Sequence, residues 1–190
     1  MQKVLTPRFL IAGIVVAVVG LALLWYLVSP LFINNTVSES LPTKIVPAEA
    51  TAAMQKAMAE PPKQIAEPMP VADATKMKVL AAGSFYNIVH DGKGTATVYQ
   101  LADGSRVLRL DDFQVLNGPD LHVWLVPVDP VPNSIGTEIA GYVDLGKLKG
   151  NIGSQNYPLP ATVDVSQFKS VVIWCQPFRV PFIGAALKAS

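Results

Sequence analysis

One cysteine and two histidines carry most of the redox or metal chemistry that the second half of this chain can offer. Cys175, the sole cysteine, ends the apolar run Val171-Val172-Ile173-Trp174 and precedes Gln176-Pro177-Phe178. Proline closes a strand there, so the thiol is expected near a sheet rim that a cofactor or partner can approach. The competing reading is a small apolar side chain packed beneath Trp174 or Phe178, because free cysteine is among the most often buried residues. With His90 and His122 it invites a trigonal blue-copper site with a weak axial methionine. Two details disfavour copper: no histidine follows Cys175 within a few residues, and all five methionines lie at or before Met77. Zinc has no closed set of four ligands at short spacings. A haem held by Cys175 or by either histidine stays open, and it would be non-covalent, since no Cys-x-x-Cys-His motif occurs. Each histidine also has a plain structural reading. His122 alternates with Leu121 and Val123 and so faces away from their core, and His90 caps a turn before Asp91-Gly92. Nucleophilic catalysis lacks a Gly-x-Ser-x-Gly turn or a base for Cys175. Asp111-Asp112 reads as a bulge or turn, because neighbouring strand residues point to opposite faces. The chain therefore reads as something other than an enzyme in its own right.

The elements that must position these residues are short β-prone runs separated by Gly, Asn, Asp and Pro. They fall at 84–90, 95–101, 106–110, 113–116, 121–126, 139–143, 171–176 and 180–187. Asp103-Gly104 between two runs is a hairpin signal, because glycine tolerates the positive φ of a tight turn. Gly150–Tyr157 reads as a polar loop able to shape a surface or bind a ligand. No long stretch has a 3.6-residue apolar period. The expectation is a mainly β unit over 79–190, an antiparallel sandwich or barrel-like domain. A solitary cysteine cannot form an internal disulfide, so the core must suffice.

Upstream the texture differs. Phe9 to Val28 carries no charge, and at about 1.5 Å per residue it covers a bilayer core of about 30 Å. Lys3 and Arg8 precede it, and no basic residue follows until Lys44. The positive-inside rule then predicts a cytoplasmic N-terminus (1–8), an uncleaved signal anchor (9–30) in the lipid bilayer, and an extracytoplasmic remainder, periplasmic or extracellular. Residues 31–78, rich in Pro and Ala and without aromatics after Phe32, read as a flexible linker that gives the domain reach. Asn34-Asn35-Thr36 matches a glycosylation acceptor and reads more simply as a polar juxtamembrane stretch. The formal charge of +1, from 15 basic and 14 acidic residues, supplies no field for nucleic acid.

Several motifs occur in order: Gly83-Ser84-Phe85, His90, Leu108-Arg109-Leu110-Asp111-Asp112-Phe113, Asn117-Gly118-Pro119-Asp120-Leu121 and Val123-Trp124-Leu125. They are followed by Asp144-Leu145-Gly146-Lys147-Leu148-Lys149-Gly150-Asn151, Gly153, Gln155-Asn156-Tyr157, Pro160, Val172-Ile173-Trp174-Cys175, Phe178 and Phe182. Together they resemble the DM-thirteen family, the Skeletor-type domain proposed to act in electron transfer, over about 80–188. The resemblance implies that Cys175 matches the family's cysteine, proposed as a free thiol or a haem ligand. Two expectations follow: a redox module centred on Cys175 with an unidentified redox or protein partner, or an interaction or adhesion module in which Cys175 only packs. A small-molecule site at the Gly150–Tyr157 loop is a third, weaker one.

Overall fold

The computed structural model describes residues 7–29, 33–42 and 77–190. A 22-residue helix, α1 (Pro7–Val28), is followed by a mainly β unit. Its strands are β1 (Thr36–Ser38), β2 (Lys78–Asn87), β3 (Gly92–Gln100), β4 (Arg106–Val115), β5 (Leu121–Val126), β6 (Val143–Lys147), β7 (Ile152–Leu159), β8 (Ser170–Cys175), β9 (Val180–Ala186) and β10 (Lys188–Ala189). They form one curled, open ten-stranded sheet in the order β1-β7-β4-β3-β2-β9-β8-β5-β6, with β10 beside β2. The expected sandwich or barrel is thus realised as a half-barrel. Strand β2 serves both halves, pairing with β3 through Lys78–Ser84 and with β9 through Phe85–Asn87.

The curl follows from alternation. Leu108, Leu110, Val123, Leu125, Ile173 and Ile183 are fully buried in the main core between the two halves. On the other face of β5 and β8, Trp124, Val126, Val172 and Trp174 join Val131 and Ile139 of the β5–β6 connection in a second cluster. The run expected at 139–143 is therefore mostly loop, and β6 begins where it ends.

Asp103-Gly104 forms the β3–β4 turn, with Gly104 at φ +83°. The runs expected at 106–110 and 113–116 are one strand, β4, interrupted by a bulge at Asp112 (φ +46°), where the register with both β3 and β7 shifts. Facing it across β3, Gly94 (φ +118°) has no room for a Cβ, which would lie 2.7 Å from the Asp111 carbonyl oxygen.

Two upstream expectations change. Residues 33–42, expected as linker, lie on the β unit, and β1 pairs in parallel with β7 from Thr36↔Ile152 to Ser38↔Ser154. All the other strand pairs are antiparallel. The remaining linker, 43–76, falls outside the described residues. The anchor expected over 9–30 coincides with α1, whose side chains are described at Ile11 and 13–28. Among the described residues no helix is long and apolar enough to cross a membrane. The span is therefore not established by those residues alone.

Candidate functional site

Cys175 closes β8, opposite Leu121 of β5 on one side and Val180 of β9 on the other. Strands flank it on both sides, so the rim position inferred from Pro177 does not open it to solvent. The side chain is 0 % exposed and lies in the main core with Leu121, Val180 and Phe182. Burial pushes its thiol above the usual cysteine range, partly offset by the backbone amides of Phe178 and Asp120. The protonated form prevails at neutral pH, and a thiol is a poor nucleophile and a poor metal ligand.

His122 follows Leu121, so the pleat sends it to the opposite face. It is paired with Trp174, not with Cys175. Its Nδ1 lies 2.8 Å from Asp144 Oδ2 and its Nε2 3.5 Å from Asp120 Oδ1. Asp120 also accepts from Lys147 Nζ at 2.8 Å, which raises the lysine's pKa. His90 lies in the bend after β2, with its ring 4.0 Å from that of Phe182. Burial lowers its pKa, while nearby Asp91 acts the other way. The turn that His90 was expected to cap is closed by Asn87, which donates to Asp91 at 2.7 Å and accepts from the Gly92 amide at 3.0 Å.

The three expected site residues therefore do not converge. Among the described residues no group of three or more His, Cys, Asp or Glu is placed to hold a metal ion. As haem ligands two of the three are poorly placed: the thiol has no open side, and both His122 nitrogens face carboxylates.

Two other constellations do assemble. On β4 and β7, Arg109 donates through Nη2 to Asp111 (2.8 Å) and through Nη1 to Asn156 Oδ1 (3.0 Å). Burial pushes the Asp111 carboxyl upward, but hydrogen bonds from Arg109 and Ser154 outweigh it and hold the pKa below the usual range. The stretch expected as a polar loop, Gly150–Tyr157, is largely β7. Its Gln155 amide is satisfied within the stretch, with Nε2 donating to Gly150 O at 2.7 Å and Tyr157 Oη donating to Oε1 at 2.7 Å. Burial drives the Tyr157 pKa far up.

Onto this surface fold residues 34–40. Asn151, almost fully buried, accepts from the Asn35 amide at 2.7 Å and donates to Asn34 Oδ1 at 2.9 Å. Glu39 takes Lys149 Nζ at 2.8 Å and the Asn156 amide at 2.8 Å. Gly150 and Gly153 make room: a Cβ on Gly150 would meet the Asn35 carbonyl at 2.6 Å, and one on Gly153 would overlap that of Val37. The only sequence signal for this segment was the short β-prone run Thr36-Val37-Ser38.

The second constellation is aromatic. Trp124 stacks on Trp174 with centroids 4.5 Å apart and on half-buried Tyr142 at 3.8 Å. Both indole N–H groups are buried without a hydrogen-bond partner.

The family profile described as "Electron transfer DM13" matches residues 84–187. The chain belongs to the electron-transfer DM13 family. No curated protein and no solved structure matches the chain. The DM13 match takes in β3–β9, the aromatic stack and Cys175, and leaves α1 and β1 outside.

Proposed function

We propose that this chain is a membrane-tethered electron-transfer module whose DM13 domain is held outside the cytoplasm by α1. The observation that carries the redox reading is the electron-transfer family match over 84–187. The tether is supported by the uncharged sequence from Phe9 to Val28 and by α1 side chains such as Val16 (72 % exposed) and Trp25 (69 %). Apolar side chains on every side of a helix suit lipid better than water. The basic residues before the span and their absence just after it favour an extracytoplasmic domain. In this reading Cys175 is the redox atom, and it acts only when the β8–β9 end opens.

The test is to purify the full chain from membranes in detergent, record its absorption spectrum and metal content, and titrate it with mediators. A chromophore or a reversible potential that changes in Cys175→Ala supports the proposal. No chromophore, no metal and no potential sinks the redox role. Extraction of the chain by alkaline carbonate sinks the tether.

A second reading is favoured by one observation: Cys175 is sealed in the core and protonated. In it the cysteine is structural and the domain serves interaction or adhesion. Crosslinking in membranes that recovers the same partner with wild type and Cys175→Ala supports this reading. Loss of redox activity in the variant, with no partner captured, removes it.

A further inference from the structure

We propose that the DM13 domain does not hang from a long stalk but sits directly on the bilayer, with the end that carries Leu116 and Phe178 against the lipid headgroups. The inference rests on the membrane tether proposed above. Its first support is chain length. Only residues 29–32 separate α1 from Ile33, and Ile33 already lies on the domain, its carbonyl accepting from Asn117 Nδ2 at 2.8 Å. Five residue steps from Val28 span at most about 17 Å. The Tyr26 hydroxyl donates to the Pro119 carbonyl at 3.2 Å, which places the β4–β5 loop beside the end of the helix. The following chain is locked down by β1 and by Asn151, Lys149 and Asn156. The contacts at Ile33 and β1 come before residue 43 in the chain, so residues 29–33 set the distance between α1 and the domain.

The second support is what that end exposes. Among the described residues outside α1, the exposed large apolar side chains are Ile33 (49 %), Leu116 (43 %), Ile135 (65 %) and Phe178 (51 %). Ile33 and Leu116 flank the point where the chain reaches the domain. Phe178 is in the β8–β9 turn, whose Gln176 amide donates to the Asp120 carbonyl at 3.0 Å, and the Gly136 amide ties the loop bearing Ile135 to Arg179 at 2.9 Å. All four thus gather at the end nearest the helix. Exposed Lys147 and Arg179 stand among them, paired with Asp120 at 2.8 Å and Glu138 at 3.7 Å. Exposed apolar tips rimmed by ion-paired polar side chains suit the boundary between acyl chains and headgroups.

The test uses the full chain in nanodiscs that carry acceptor-labelled lipid. A donor dye is attached at Leu116→Cys or, at the far hairpin, at Ala102→Cys. The length of β4 separates the two positions by about 30 Å. Energy transfer should be at least twofold higher at 116 than at 102. In a Val37→Pro, Glu39→Lys background, which breaks the β1 ladder and the Lys149 pair at residues outside the DM13 match, transfer at 116 should fall toward the 102 value. Buried tryptophan fluorescence confirms folding. Equal transfer at the two positions in the otherwise unchanged chain overturns the inference, and so does a 116 signal insensitive to the β1 changes. A chain that fails to float with lipid vesicles removes the tether and the seat together, whereas floating with equal transfer removes the seat alone.

Discussion

The most informative perturbation is chemical attack on Cys175, because the two functional readings differ in whether this sulfur can be reached. The attacking species is the thiolate, so the rate is the product of two fractions: the time the site is open and the ionised share when it is. In the closed state the side chain is 0 % exposed and has a paired strand on each side, Leu121 of β5 and Val180 of β9. Reaching it means parting the end of β8 from a neighbour. Sub-global opening of paired strands falls between zero and the global stability of about 5–15 kcal/mol. An opening of about 4 kcal/mol, at about 1.4 kcal/mol per decade, slows attack by roughly a thousandfold. The raised thiol pKa slows it further in any partly open state. The assay is the rate of reaction with an aromatic disulfide reagent at pH 8, measured in detergent with and without denaturing guanidinium. Cys175→Ala serves as the blank. The native rate is expected to be at least about a thousandfold below the denatured rate. A native rate within tenfold of the denatured one refutes the reasoning and makes Cys175 an open redox thiol.

Further outcomes follow from the same geometry. Cys175→Ser should lower the urea-unfolding free energy by about 1–3 kcal/mol, more than Cys175→Ala, because it buries a hydroxyl in an apolar site. Asn151→Ala should cost about 2–3 kcal/mol by the same measurement, since the Val115 carbonyl and the Asn35 amide both lose a partner. That loss should shrink in a Val37→Pro background. Burial raises the pKa of both Cys175 and Tyr157, so each group is protonated in folded and unfolded chains below its unfolded value. Above about pH 8.5 for the thiol and about pH 10 for the phenol, the unfolded chain ionises first. Melting temperature should therefore fall as pH rises from about 8.5, and Cys175→Ala should flatten the first part of that fall. The stacked indoles should give an exciton couplet in the far-ultraviolet circular dichroism, which Trp124→Phe removes.

The strands that alternate strongly were legible in the sequence, and the ones that do not were missed. Leu121-His122-Val123 told which residues face the core, and the position of β5 followed from them. Strand β7 reads Ile-Gly-Ser-Gln-Asn-Tyr-Pro-Leu, with little apolar pattern on its outer side. It is held by side-chain amides and by the β4 ladder, and neither leaves a periodic trace. Strand β1 was invisible for a related reason. Three β-prone residues are too short a run to stand out, and what fixes them is the absence of side chains on Gly150 and Gly153, more than a hundred residues away. The cysteine was found by type alone. Its burial was not legible because Pro177 marks the end of a strand without saying that a strand pairs with its last residue on each side.

That hidden contact changes how the molecule works as a whole. A linker read from composition suggested a domain free to search tens of ångströms from its anchor. Instead, residues outside the family match occupy the β7 edge and satisfy Arg109, Asn151 and Asn156 within it. Covering that edge also removes a row of backbone groups that would otherwise recruit a strand from another chain. One short segment therefore covers the β7 edge and sets the domain's distance from α1. If the tether and the redox role proposed above hold, a module of this build meets its partners at the bilayer, and their redox groups should lie close to the membrane surface.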